Sequence, residues 1–136
     1  MLLPHGTVIA LVDGKKFELF RNSGNEAQPE LAAMDSPKLE APNKGAGAHH
    51  HSGSDNPSAH LLEEDAHAAA VAEWLNQQAI GHKLENLVII AAPRTLGELR
   101  LHYHTQLKSV LLGELSKDLV GRQGPDIIAA LREKNS

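Results

Sequence analysis

The chain has 136 residues, no cysteine and a formal net charge of −4, so a single domain is the default and disulfides, thiolate catalysis and cysteine-based zinc sites are excluded. With 13 Lys and Arg against 17 Asp and Glu, overall charge does not hold nucleic acid or anionic lipid. No run approaches the ~20 apolar residues that cross a bilayer, and Met1-Leu2-Leu3-Pro4-His5-Gly6 lacks the basic and apolar regions of a secretory signal, which makes a cytoplasmic protein with one domain over 1–136 the expectation.

Thr7 to Val12 is apolar and partly β-branched, Asp13-Gly14 is a two-residue turn signal, and Lys15 to Arg21 sets Phe17 and Leu19 among polar neighbours. This predicts a β-hairpin. A third strand is expected over Glu30 to Met34, where Leu31-Ala32-Ala33-Met34 follows Pro29. From about Asp35 to Ser58 periodicity disappears, and Pro, Gly, Ser, Asn and Ala surround His49-His50-His51, predicting a long mobile loop. Pro57 and Ser58 then signal a helix start. Leu61, Ala68, Val71, Ala72, Leu75 and Ala79 share one face of that helix, which Gly81 is expected to end. Glu63, Glu64 and Asp65 lie in its early turns, where negative charge suits the helix dipole.

Leu87 to Ala92 is a continuous apolar run, the pattern of a strand covered on both faces, and Pro93 stops it. Thr95 and Glu98 are spaced as a capping box, with Leu96, Leu99 and Tyr103 forming one apolar stripe on the helix they would start. Gly97 costs that helix about 1 kcal/mol against Ala, which close approach of a backbone or ligand would justify. Val110 to Leu115 reads as another short strand, and Gly124-Pro125-Asp126 starts a last helix with Ile127, Ile128 and Leu131 inward. The order predicts an α/β fold: a mixed sheet with an N-terminal antiparallel meander, then helix-strand alternation, with helices on its faces. Ribonuclease H-like and ribosomal L18/S11-like folds share this order.

A helix start at the carboxyl end of a strand, with Arg94 beside it and Arg100 nearby, is suited to a phosphate or carboxylate. The simpler reading has Thr95 and Glu98 capping the helix, and the arginines solvated or paired with Glu98 and Glu114. Neither Gly-x-x-x-x-Gly-Lys nor Gly-x-Gly-x-x-Gly is present.

Nine histidines raise a metal reading centred on His49, His50, His51 and His60 with Asp55, since imidazole suits zinc, copper and nickel. Three consecutive histidines in a Gly-rich loop are poor geometry for one ion, so solvation or adventitious binding is favoured and no metal or cofactor is expected. His67 is expected on a helix surface, His82 at a helix end, and His102 and His104 near a helical C-terminal turn. Ser52, Ser54 and Ser58 lie near histidines without a nucleophile elbow, and Glu63, Glu64 and Asp65 are adjacent and so face different directions. Phe17, Phe20, Trp74 and Tyr103 are too few and scattered for a base-stacking platform; Trp74 is expected in helix-sheet packing.

The segment Ala91-Ala92-Pro93-Arg94-Thr95-Leu96-Gly97-Glu98-Leu99-Arg100 stands with Leu112-Gly113-Glu114-Leu115-Ser116-Lys117-Asp118-Leu119 and the opening stretch Gly6 to Gly14. Together they resemble the bacterial host attachment protein family, proteins required for attachment to host cells, over nearly the whole chain. That family is distantly similar to the middle, peptidyl-tRNA-hydrolysing domain of archaeal and eukaryotic peptide-chain release factors, in which a Gly-Gly-Gln loop before the long helix helps to place water at the peptidyl ester. The corresponding stretch here, Gly45 to His60, has no Gly-Gly-Gln, so that activity does not carry over.

The resemblance implies a non-enzymatic binding protein whose partner is a tRNA, the ribosome or another protein. It places any shared binding site at Arg94, Thr95, Glu98, Arg100, Glu114, Lys117 and Asp118. The alternatives are a hydrolase holding an anionic substrate at the helix start from Arg94 to Arg100, and a metal-binding protein using the loop histidines.

Overall fold

Two strands with every residue buried lie side by side and parallel at the centre of the sheet, Val8–Val12 and Leu87–Ala91. Their continuous apolar sequences require cover on both faces, and alternate residues supply two separate cores. Val8, Ala10, Val12, Leu87, Ile89 and Ala91 face one, whereas Ile9, Leu11, Val88 and Ile90 face the other.

The computed structural model describes residues 1–39 and 57–134. The elements are β1 (Val8–Val12), β2 (Phe17–Asn22), β3 (Leu31–Met34), α1 (Pro57–Ile80), β4 (Leu87–Ala91), α2 (Pro93–Arg100), α3 (Thr105–Val110), β5 (Leu111–Ser116) and α4 (Gly124–Lys134). One sheet runs in the order β3-β2-β1-β4-β5. The meander β1-β2-β3 is antiparallel, and β1, β4 and β5 are parallel. The α/β class, the third strand and the mixed sheet agree with the sequence expectation. Among the described residues no helix is long and apolar enough to cross a membrane.

Helices cover the two faces unequally. Ala68, Val71, Ala72, Leu75 and Ala79 of α1, with Leu96 and Leu99 of α2 and Leu107 of α3, fill the first core. Ile127 and Leu131 of α4 join Leu3 in the second. The spacing read along α1 therefore marks its buried face, except at Leu61, which is exposed. Ile128 is only half-buried.

Local corrections concern turns and helix ends. The hairpin connection takes four residues, 13–16, between the paired Val12 and Phe17, because Asp13 Oδ1 accepts the amides of both Lys15 and Lys16. Gly81 follows α1, but the left-handed residue is the next one, His82 at φ 58°. The His82 amide donates to Ala79 O at 3.0 Å and the Lys83 amide to Gln78 O at 2.9 Å, the pairing of a Schellman motif.

The capping box of Thr95 and Glu98 does not form. Pro93 opens α2, where its missing N–H costs nothing; Ala92 stands at the N-cap with no side-chain hydrogen bond. Thr95 consequently falls inside the first turn and is buried, and Glu98 turns to His102. The single helix expected here is two, because the chain turns after Arg100 and restarts at Thr105, so Tyr103 lies between helices rather than on a stripe. His104 caps the restart, its Nδ1 accepting the Gln106 amide at 3.0 Å.

Most of the loop expected at 35–58 lies outside the described residues, and with it His49, His50 and His51.

Candidate functional site

Because β1, β4 and β5 are parallel, their carboxyl ends, Val12, Ala91 and Ser116, share one edge of the sheet. The β1–β2 turn, the start of α2 and the early turns of α1 meet there. Arg94 Nη2 lies 3.1 and 3.0 Å from the two carboxylate oxygens of Asp65 on α1. Half of the Arg94 side chain stays in solvent, 51% against 28% for Asp65, so the pair is a surface one of small net value. His67 Nε2 is 3.2 Å from the Lys16 carbonyl, a contact in which the ring must donate. Glu64 packs over the same turn: a Cβ on Gly14 would stand 2.6 Å from its side chain. These contacts tie α1 to the turn and to α2.

A second polar group forms where α2 passes β5. Arg100 Nε and Nη2 donate to Glu114 Oε1 at 3.0 and 2.7 Å, and the Tyr103 hydroxyl donates to Oε2 at 2.6 Å. Glu114 lies opposite Ile89 in the sheet register, on the face covered by α1 and α2. Burial, then the bond to Glu114, raises Tyr103 well above its ordinary value of 10.0. The hydrogen bond to Glu114 likewise raises Arg100. Tyr103 is therefore held as a protonated donor, unsuited to act as a base or nucleophile near neutral pH.

The seven sequence-predicted positions do not converge on one centre. Arg100 and Glu114 come together as a pair. Arg94, six positions before Arg100, lies about 240° around the α2 axis from it and pairs with α1. Glu98 bonds His102 at 2.9 Å, one helical turn away. Lys117 lies 3.6 Å from Glu133 on α4, and Asp118 is exposed. His60 is exposed on α1, and no three metal-ligating side chains gather among the described residues. Gly97 has nothing within 4 Å of where a Cβ would stand, so no close backbone approach accounts for it.

Two surface cavities lie away from these residues. One, of about 150 Å³, sits between the N-terminus and α4. The other, of about 280 Å³, opens at the amino edge of β1 and is lined by His5, Arg21, Trp74, Gln78, His82 and Lys83 among others. The sequence reading singled out neither Asp65 as the partner of Arg94 nor this second group. Its one local signal was the four-residue spacing of Trp74 and Gln78, which puts both on one face of α1.

The profile of the bacterial archaeo-eukaryotic release factor family 12 matches residues 6–131, which spans the whole sheet and all but the end of α4. No curated protein matches the chain.

Proposed function

Since the chain belongs to bacterial archaeo-eukaryotic release factor family 12, we propose that it is a translation-associated binding protein, whose partner is tRNA or a ribosomal surface. The family match over residues 6–131 carries this reading. Binding rather than hydrolysis is favoured because the chain contains no Gly-Gly-Gln, the tripeptide that helps place water in the release-factor domain it resembles. The likeness to host attachment proteins fits the same reading, in which attachment is a downstream phenotype of a cytoplasmic protein acting as one domain over 1–136. The element order supports the ribonuclease H-like or ribosomal L18/S11-like naming of the fold.

With a net charge of −4, any phosphate contact must come from a local patch. The carboxyl edge of the sheet offers one: half-exposed Arg94 beside the β1–β2 turn, which presents exposed Lys15 and Lys16. An incoming phosphate would replace Asp65 as the acceptor for Arg94, an exchange that a solvent-screened pair permits at small cost.

Sedimentation of a bacterial lysate through a sucrose gradient at low salt tests this. The chain is expected with ribosomal particles or shifted by tRNA, and a variant with Ala at Lys15, Lys16 and Arg94 is expected to be depleted from those fractions. Wild-type protein that stays at the top of the gradient and is unshifted by tRNA contradicts the reading.

A further inference from the structure

The cavity at the amino edge of the sheet brings an aromatic ring, a side-chain amide and two cationic side chains to one opening. It has a volume of about 280 Å³ and is walled by Trp74 and Gln78 from α1, His5 from the segment before β1, Arg21 from β2, and His82 and Lys83 from the turn after α1. It lies on the far side of α1 from the Arg94 junction: Trp74 and Gln78 are 9 and 13 residues beyond Asp65, roughly 14 to 20 Å along the helix axis. It is therefore a separate site.

Two cationic side chains, Arg21 and Lys83, stand at its rim with His82 beside them. Arg21, His82 and Lys83 have no hydrogen-bonding or ion-pair partner for their side chains among the described residues, and the one lining carboxylate is Glu85. Arg21 lies across Gly6, whose φ is +86°; its Nη2 stands 3.4 Å from where a Cβ on Gly6 would be, an ordinary contact distance. His5 is oriented by the Gly24 carbonyl, 2.7 Å from its Nδ1. Trp74 is the one aromatic side chain of the lining, beside the aliphatic Val8, Leu19, Met34 and Leu84, and Phe17 meets it edge-on at a centroid distance of 5.6 Å.

His82 supplies the second observation. It is the one non-glycine residue with positive φ among the described residues, and it occupies the Schellman position where glycine is strongly preferred. A side chain retained against backbone strain at the rim of a cavity points to use of that side chain.

We propose that this cavity binds one nucleotide unit. The base packs against Trp74 with its edge toward the Gln78 amide, which offers both donors and an acceptor. The phosphate is held by Arg21 and Lys83, with His82 closing the rim. The volume of about 280 Å³ lies just below the roughly 300–1,000 Å³ usual for ligand pockets, which suits one base with one phosphate rather than a dinucleotide. The assignment is independent of the carboxyl-edge contacts with tRNA or ribosome proposed above. The unit comes either from a free mononucleotide or from an RNA strand.

Trp74 is the single tryptophan of the chain, so its fluorescence reports on this site alone. Wild-type protein is titrated with adenosine and uridine monophosphates, with the nucleosides, with inorganic phosphate, and with a short single-stranded RNA. A saturable change with nucleotide or RNA is expected. Arg21→Gln should weaken it about tenfold, the size of one lost charge-assisted hydrogen bond. Arg21 is exposed, so this variant retains the fold. His82→Gly should also weaken binding while raising the urea midpoint, since glycine relieves the strain; that combination separates a binding role from a structural one. Binding of RNA without binding of free nucleotides assigns the unit to a strand, and comparable binding of free nucleotides assigns it to them. The proposal is overturned by no saturable response to any nucleotide or RNA, by a response that nucleoside or phosphate alone matches, or by affinity unchanged in both variants.

Discussion

Arg100 places two donors on one oxygen of Glu114, Nε at 3.0 Å and Nη2 at 2.7 Å, which leaves the other oxygen to the Tyr103 hydroxyl at 2.6 Å. Glu114 thus joins the end of α2, the turn after it and β5. Glu114→Ala would leave the Tyr103 hydroxyl without this acceptor, at a cost of about 1–3 kcal/mol. Urea denaturation of the two proteins measures it, and an unchanged midpoint would show that the carboxylate does not fasten α2 to the sheet.

The same contact fixes a pH dependence. Tyr103 is raised in the folded chain above its ordinary value of 10.0, so above that pH the unfolded chain loses a proton that the folded chain keeps. Its contribution to stability is complete below pH ~10 and is lost as pH rises through and beyond that value. As Tyr103 is the only tyrosine, tyrosinate absorbance should be absent from the folded protein somewhat above pH ~10 and appear together with unfolding. Tyrosinate formed at its ordinary pH in protein that is still folded would contradict the assignment.

Glycine has opposite meanings at two positions. A Cβ on Gly97 would meet nothing within 4 Å, whereas one on Gly24 would stand 2.2 Å from the Gln28 carbonyl oxygen and 2.9 Å from the Glu30 nitrogen. Gly97→Ala should stabilise the protein by roughly 0.5–1 kcal/mol through helix propensity. Gly24→Ala should destabilise it by more than about 1 kcal/mol. Thermal melts of the two variants should therefore shift in opposite directions.

Asn22 organises the other end of the meander. It is fully buried, its amide nitrogen donates to Leu3 O at 2.8 Å, and its Oδ1 accepts the amides of Gly24 and Glu30 at 2.9 and 3.0 Å. Asn22→Ala leaves two amides and a carbonyl without these partners, and a loss of about 2–4 kcal/mol is expected. Loss of under about 1 kcal/mol, the scale of one net hydrogen bond, would mean that water replaces the side chain.

The central strands and the long helix were legible because burial writes itself into local spacing. Val8–Val12 and Leu87–Ala91 are unbroken apolar runs, and Ala68, Val71, Ala72, Leu75 and Ala79 recur at helical intervals. The start of α2 was misplaced because two valid start signals stand close together: Pro93, suited to a first helical position, and the Thr95-Glu98 pair. The chain uses the first. Expectations for the site scattered for another reason. Arg94 meets Asp65 from 29 residues away, and the amino-edge cavity draws on the meander, α1 and the turn after it. No local period encodes such meetings. The pairing of Arg100 with Glu114 is one of the outcomes that the simpler charge reading allows, beside solvation or pairing with Glu98, and it is the one the structure shows.

Equilibrium binding of the purified chain to bacterial ribosomes and to tRNA, measured at low and at physiological salt, tests the central claim most directly. The account predicts saturable binding to at least one of them, weakened as salt rises because phosphate contacts release counterions, and weakened again when Lys15, Lys16 and Arg94 are replaced by Ala. Absence of binding to both at low salt would contradict a translation-associated role for this chain.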